Sequence, residues 1–167
     1  MQAEPSHFAQ NDPRTLVLGL GNTLLQDEGI GVHVIGELAR LGPDASGVDY
    51  VDGGTLSFTL AGVIVESDAL IVVDTAQLDS APGTVRVFEG AEMDAFVGSG
   101  RKTSVHEVSL RDLLAIATLE GRLPARRALI GIQPEVLDWG ESLSPAVAAA
   151  VPLACTEVRA LLERWTA

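Results

Sequence analysis

Three short segments of this chain carry residues whose types and spacing could do chemistry. The first runs Gly19-Leu20-Gly21-Asn22-Thr23-Leu24-Leu25-Gln26-Asp27-Glu28-Gly29-Ile30-Gly31. Glycines and an asparagine lead into two adjacent carboxylates. A glycine pair after an apolar run suggests dinucleotide binding, but that fingerprint needs a third glycine three positions after the second. Leu24 stands there, and two carboxylates at a helix start would repel a pyrophosphate. The same carboxylates could hold a cation or a basic group. The plainer alternative is that Asp27 and Glu28 cap the following helix and complement its dipole. Capping accounts for one acid, not for the glycines and asparagine before it.

The second segment ends in Asp74, after the apolar run 69–73. An aspartate there is as common in a helix cap as in an active site, and the two readings stand level. The third is Ser104-Val105-His106-Glu107. His7 lies near the start of the chain and His33 inside a helical pattern, where it reads as a surface or packing residue. His106 follows a long stretch without periodicity, from which a loop could carry it over a sheet edge. Alone it would be an ordinary structural histidine. Taken together, Glu28, Asp74 and His106 offer oxygen and nitrogen donors suited to a divalent transition metal. Three protein ligands leave positions open for catalysis. There is no Cys-x-x-Cys, no His-Glu-x-x-His and no Gly-x-Ser-x-Gly, so structural zinc, zincin and serine-hydrolase readings have no support.

The elements that must position these residues follow from the apolar pattern. Runs 14–20, 69–73 and 128–132 are continuously apolar, as in strands buried on both faces of a parallel sheet. Residues 48–51 form a further short strand closed by Asp52-Gly53-Gly54, and 84–88 alternate like an edge strand entered from Pro82-Gly83. Helical spacing predicts helices over 29–41, 109–119 (capped by Ser109) and from Ser144-Pro145 to the end, and length and position give one over 56–65. Pro152 is expected to interrupt the last one. Residues 89–105 read as a long loop with at most one helical turn, and 133–143 as another loop. Strands alternating with helices imply a three-layer α/β/α sandwich around a mostly parallel twisted sheet. Such sheets place sites beyond the carboxyl ends of their strands. Residues 1–13 read as a flexible tail and 14–167 as one domain.

Composition narrows the function classes. The chain has 167 residues, 47% of them hydrophobic, enough for one core. Its formal charge is −12, from 23 acidic and 11 basic residues, which disfavours nucleic acid and anionic membrane surfaces. The polar first residues lack a signal-peptide core and no run reads as a bilayer span, so the cytoplasm is the expected location. The single cysteine, Cys155, permits no intrachain disulfide and reads as buried filler.

The 16–31 motif resembles the signature of the hydrogenase maturation endopeptidases. Asp52-Gly53-Gly54-Thr55, the strand ending at Asp74, Ser104-Val105-His106 and Gly131-Ile132-Gln133-Pro134-Glu135 match that family in order and spacing. The resemblance runs from about residue 14 into the last helix. It implies an endopeptidase, metal-dependent or nickel-recognising, that clips a C-terminal extension from a nickel–iron hydrogenase large-subunit precursor after nickel has entered. It also implies Glu28, Asp74 and His106 as metal-binding residues. The metal would be the precursor's nickel or another divalent transition metal held by the protease itself. Asp27 and Asp52 are candidates for supporting or general-base roles, and Thr55 and Gln133 for lining a substrate groove. A monomer is the plain expectation. Two other classes compete: a non-catalytic metal-binding or chaperone-type module for hydrogenase assembly, and a nucleotide-binding domain. Turnover excludes the first and a nucleotide titration tests the second.

Overall fold

The computed structural model describes residues 13–42, 46–55, 57–99 and 109–166. Five strands form one sheet: β1 (Thr15–Leu20), β2 (Val48–Gly54), β3 (Ala69–Thr75), β4 (Val85–Glu89) and β5 (Arg126–Ile132). Their order is β2-β1-β3-β5-β4; β4 runs antiparallel to β5, and the other neighbours are parallel. The helices are α1 (Ile30–Leu41), α2 (Thr59–Val65), α3 (Ala91–Gly98), α4 (Leu110–Leu119) and α5 (Pro145–Thr166), with a 3-10 turn over Gln26–Gly29 leading into α1.

The continuous apolar runs are strands buried on both faces. Val17, Ile71, Val73, Ile130 and Ile132 point to one side, where α1 and α5 cover them. Leu16, Leu18, Leu70, Val72 and Leu129 point to the other, under α2, α3 and α4. Successive strand residues alternate faces, so each run feeds two cores and needs no polar side. The expected α/β/α sandwich is therefore the observed one.

From β1 the chain crosses through α1 to β2 on one side, then through α2 to β3 on the other. The carboxyl ends of β1 and β3 thus flank a topological switch point, where open α/β sheets form their crevice. Glycine lets α1 start close against that point. A Cβ on Gly31 would lie 2.2 Å from the Val73 carbonyl oxygen and 2.3 Å from that of Leu20.

Some expectations change. Residues 91–98 form α3 where a loop was expected. Met93 and Val97, four residues apart, are buried against the sheet, Asp94 and Ala95 between them are exposed and Phe96 is partly buried; a two-residue stripe is too short a pattern to read. The last helix is not interrupted at Pro152. Ala148, whose carbonyl loses its helical donor there, lies on the exposed face, so water can serve it. By length and composition α5 is also apolar enough to cross a membrane, with 22 residues and mean hydropathy 1.4, contrary to the sequence reading. In this fold the stripe is a core stripe: Val147, Ala154, Val158 and Leu161 are each at most 1% exposed. Cys155 lies in the same core, and burial pushes its thiol pKa up, as its filler role predicts.

Candidate functional site

The acidic pair after β1 is built into the fold through backbone. Asn22 Oδ1 accepts the Leu24 N–H at 2.9 Å, and the Asn22 carbonyl accepts the Leu25 N–H at 3.1 Å, turning the chain directly after the strand. Gly21 adopts φ +132°, and a Cβ there would lie 1.8 Å from the Glu28 carbonyl oxygen. The glycines therefore fold residues 21–29 back on themselves, which places Glu28 beside the switch point. The 3-10 turn that carries it packs against β3.

Asp27 and Glu28 are both buried, at 0% and 5% exposure. Both stand in the first turn of the 3-10 segment, whose N-cap residue Leu25 makes no side-chain cap bond, and Asp27 spends its carboxylate on a distant loop rather than on a helix end. Asp27 instead closes a long-range clamp. Its Oδ2 accepts the N–H groups of Glu135 and Val136, both at 2.9 Å, and the Ser144 hydroxyl at 2.8 Å. Its Oδ1 accepts the Ser144 N–H at 2.7 Å. Burial pushes this carboxyl's pKa up, but the bonds from Val136, Ser144 and Glu135 outweigh burial and hold it below the usual aspartate value. Asp27 thereby fastens the 133–144 loop to the 3-10 turn. The Asp27 N–H donates to the Val136 carbonyl at 3.1 Å, and the Gln26 N–H to the Gly140 carbonyl at 2.8 Å. Leu25 and Gly140 form a parallel bridge.

Asp74 sits one residue from the end of β3, half-buried, opposite Gly131 of β5. Its Oδ1 accepts the Thr75 N–H at 2.8 Å. The switch point thus brings together the carboxyl end of β3, with Asp74, and the turn bearing Glu28. Asp52 lies on the neighbouring edge strand β2, opposite Gly19. It is exposed, and its Oδ1 accepts the Gly54 N–H at 2.8 Å. The Gly54 carbonyl in turn accepts the Gly21 N–H at 2.8 Å, so the Asp52-Gly53-Gly54 turn is stitched to the start of the first motif.

His106 and the segment around it lie outside the described residues. Among the described residues no group of three His, Cys, Asp or Glu side chains is placed to hold a metal. Glu28 and Asp74 supply carboxylate oxygens, which suit hard or borderline divalent cations, and an imidazole would shift the set towards a transition metal. Thr55 is exposed at the end of β2. Gln133, expected to line a groove, is buried at 7% exposure. Its Oε1 accepts the Leu78 N–H at 2.7 Å and its Nε2 donates to Gln77 at 2.9 Å. It ties the segment after β3 to the end of β5, and that buried position leaves little to offer a groove. Sequence reasoning missed the Asp27–Ser144 clamp, whose only local sign is a second acid beside Glu28. A cleft of about 280 Å³ lined by Ser67, Asp68, Arg122 and Pro124 opens at the opposite end of the sheet, away from these carboxylates.

Comparison with known proteins agrees with this architecture. Residues 32–160 match the family model described as HycI, hydrogenase maturation protease; the matched span begins four residues after Glu28. The chain is 39% identical over 153 residues to the hydrogenase expression/formation protein HupD of Rhodobacter capsulatus, covering 91% of this chain and 72% of that one. It is 36% identical over 152 residues to the hydrogenase 2 maturation protease of Escherichia coli, covering 89% and 90%. The solved structure of the hydrogenase maturating endopeptidase HybD from E. coli superposes with a TM-score of 0.81 at 36% identity, covering 90% of this chain and 93% of that one.

Proposed function

The chain belongs to the hydrogenase maturation protease family, and from that membership we propose that it cuts the C-terminal extension from a nickel–iron hydrogenase large-subunit precursor once nickel is in place. The observation that carries this reading is the placement of Glu28 and Asp74 at one switch point, on backbone packed too tightly to shift. We place the reaction in the cytoplasm and assign it to a monomer.

Glu28, Asp74 and His106 are the residues that would hold the precursor's nickel. When bound, the metal supplies Lewis acidity to the peptide carbonyl beside it. The protein's own part is recognition and positioning. A half-formed ligand set binds a nickel-loaded precursor more tightly than an empty one, and that difference is the specificity. Asp27 is a positioning residue. Its carboxylate accepts three N–H groups and a hydroxyl, so it holds the Glu28 turn and the 133–144 loop in one arrangement and has little capacity left to take a proton. Asp52 is exposed beside the same crevice and is the better placed of the two to accept one from water. A resident divalent metal in the same three ligands is the second reading; dialysis against chelator before assay separates them, because a substrate-borne nickel leaves the treated protease active.

The direct test is intact mass of a nickel-loaded precursor before and after mixing with this protein, beside a nickel-free control. Loss of one discrete C-terminal fragment from the loaded sample alone is expected. A stable complex with unchanged mass would replace the protease with a binding module.

A further inference from the structure

Large apolar side chains are not exposed evenly. Seven stand out among the described residues, and four of them, Leu24, Phe58, Leu137 and Trp139, lie in connections at the carboxyl end of the sheet. Trp139 is 75% exposed and Leu24 49%. Both flank the Leu25–Gly140 bridge: the Gly140 N–H donates to the Leu24 carbonyl at 2.9 Å, and Gln26 Nε2 to the Trp139 carbonyl at 3.2 Å. This is an unusual use of tryptophan, whose large apolar area favours burial or a partner. The same loop is fastened by Asp27, whose neighbour is Glu28, so the exposed residues are held in fixed register with the proposed site.

Charge points to the kind of partner. No lysine or arginine occurs between Arg14 and Arg40, or between Arg127 and Arg159. These two stretches supply the bridge and everything clamped to it. Glu135, Asp138 and Glu141 are all exposed in the same loop. An apolar centre with an acidic rim suits a segment carrying apolar side chains and lysine or arginine together.

We propose that Leu24, Leu137 and Trp139 form a docking surface for an extended, apolar and basic segment of the precursor next to its scissile bond. This rests on the protease reading, and it adds the residues that select the substrate chain independently of its metal.

The test is steady-state processing of the nickel-loaded precursor by wild type, Trp139→Ser, Leu24→Ser and Glu141→Lys, each first checked for an unchanged thermal midpoint. Trp139→Ser is expected to raise KM roughly tenfold or more with kcat within about twofold. Glu141→Lys should raise KM less, and should remove part of the salt dependence of the wild-type KM. Wild-type KM in both serine variants, or a loss confined to kcat, would overturn the proposal. A wild-type dimer that Trp139→Ser dissolves would give the surface to a second copy and overturn it equally. Should the wild type cut nothing, the protease reading falls, and binding of the uncut precursor decides the surface by itself: a tenfold weakening in Trp139→Ser keeps it, unchanged affinity ends it.

Discussion

The two ends of the sheet treat charge in opposite ways. At the edge that holds the amino ends of the four parallel strands, carboxylates meet guanidinium groups. Asp49 pairs with Arg14 at 2.8 Å, Asp94 with Arg127, and Glu89 with Arg164. At the carboxyl ends, Asp27 and Asp52 are held by backbone N–H groups, and Asp27 adds a serine hydroxyl. The amino end is fastened largely by long side chains, two of the three pairs well exposed to water, with one main-chain bond from the Arg14 N–H to Asp68 beside them. The carboxyl end is fastened by main chain, with glycines removing the space between its segments. The first arrangement tolerates change and the second fixes position, as a site that must present carboxylates in one geometry requires.

The sharpest break of this comparison is a change that alters chemistry and leaves the backbone alone. Glu28→Gln and Asp74→Asn keep shape and remove charge, and His106→Ala removes the expected nitrogen donor. Each is expected to lower processing by on the order of a thousandfold or more with an unchanged circular dichroism spectrum. Intact mass of the precursor against time measures it. Full activity in any one variant removes that residue from the site.

Backbone packing gives the next largest effect, now on stability. Gly31→Ala puts a Cβ against two carbonyl oxygens of the sheet, neither of which can rotate away. A destabilisation of about 3 kcal/mol is expected, near the upper end for overpacking, read as a lower urea midpoint. A neutral result would mean that α1 can lift from the switch point, and the fixed register of Glu28 with Asp74 would go with it.

Asp27→Asn tests the clamp. The amide keeps one acceptor oxygen but turns an NH₂ toward the donors of a buried site, at a cost of about 2–3 kcal/mol. The pH profile carries the sign. Since the folded carboxyl has a lowered pKa, the unfolded chain takes up the proton more readily. This stabilisation is complete above the ordinary aspartate pKa of about 4, and is lost as pH falls through the lower folded value. Urea midpoints between pH 6 and pH 3 should decline in wild type and decline less in Asp27→Asn.

What was legible in the sequence follows the same division. Strands buried on both faces announce themselves as unbroken apolar runs, and glycines beside acids mark where the chain turns at β1. These are local signals, and they mark the segment after β1 and the end of β3, in which Glu28 and Asp74 lie. The clamp was illegible because the partners of Asp27 lie 108 to 117 residues away. Nothing within a few residues of Asp27 distinguishes an anchor from a cap. Gln133 was misjudged for a related reason: a polar residue at a strand end reads as exposed, whereas this one is buried by the returning segment 76–84 that it holds. Helix α3 escaped because its buried stripe is only Met93 and Val97, too short for periodicity to register. His33 is a residue the sequence could not have resolved either way: its Nε2 is buried with no hydrogen-bond partner among the described residues.

The smallest effect belongs to the amino end, and it makes the comparison quantitative. Arg14 directly precedes β1 and Asp49 lies on β2, with side chains 57% and 49% exposed. Asp49 holds the Arg14 guanidinium toward its charged form, chiefly through the hydrogen bond between them, yet an ion pair this open to water and salt contributes little. Arg14→Ala leaves the Arg14 N–H donating to Asp68 at 2.7 Å, because that bond belongs to the main chain. The entry of β1 should therefore keep its geometry. The urea midpoint should be indistinguishable from wild type, and processing should match it too. A loss comparable to that of Asp27→Asn would mean that side-chain pairs hold the amino end as firmly as backbone holds the other, and the distinction between the two ends would fail.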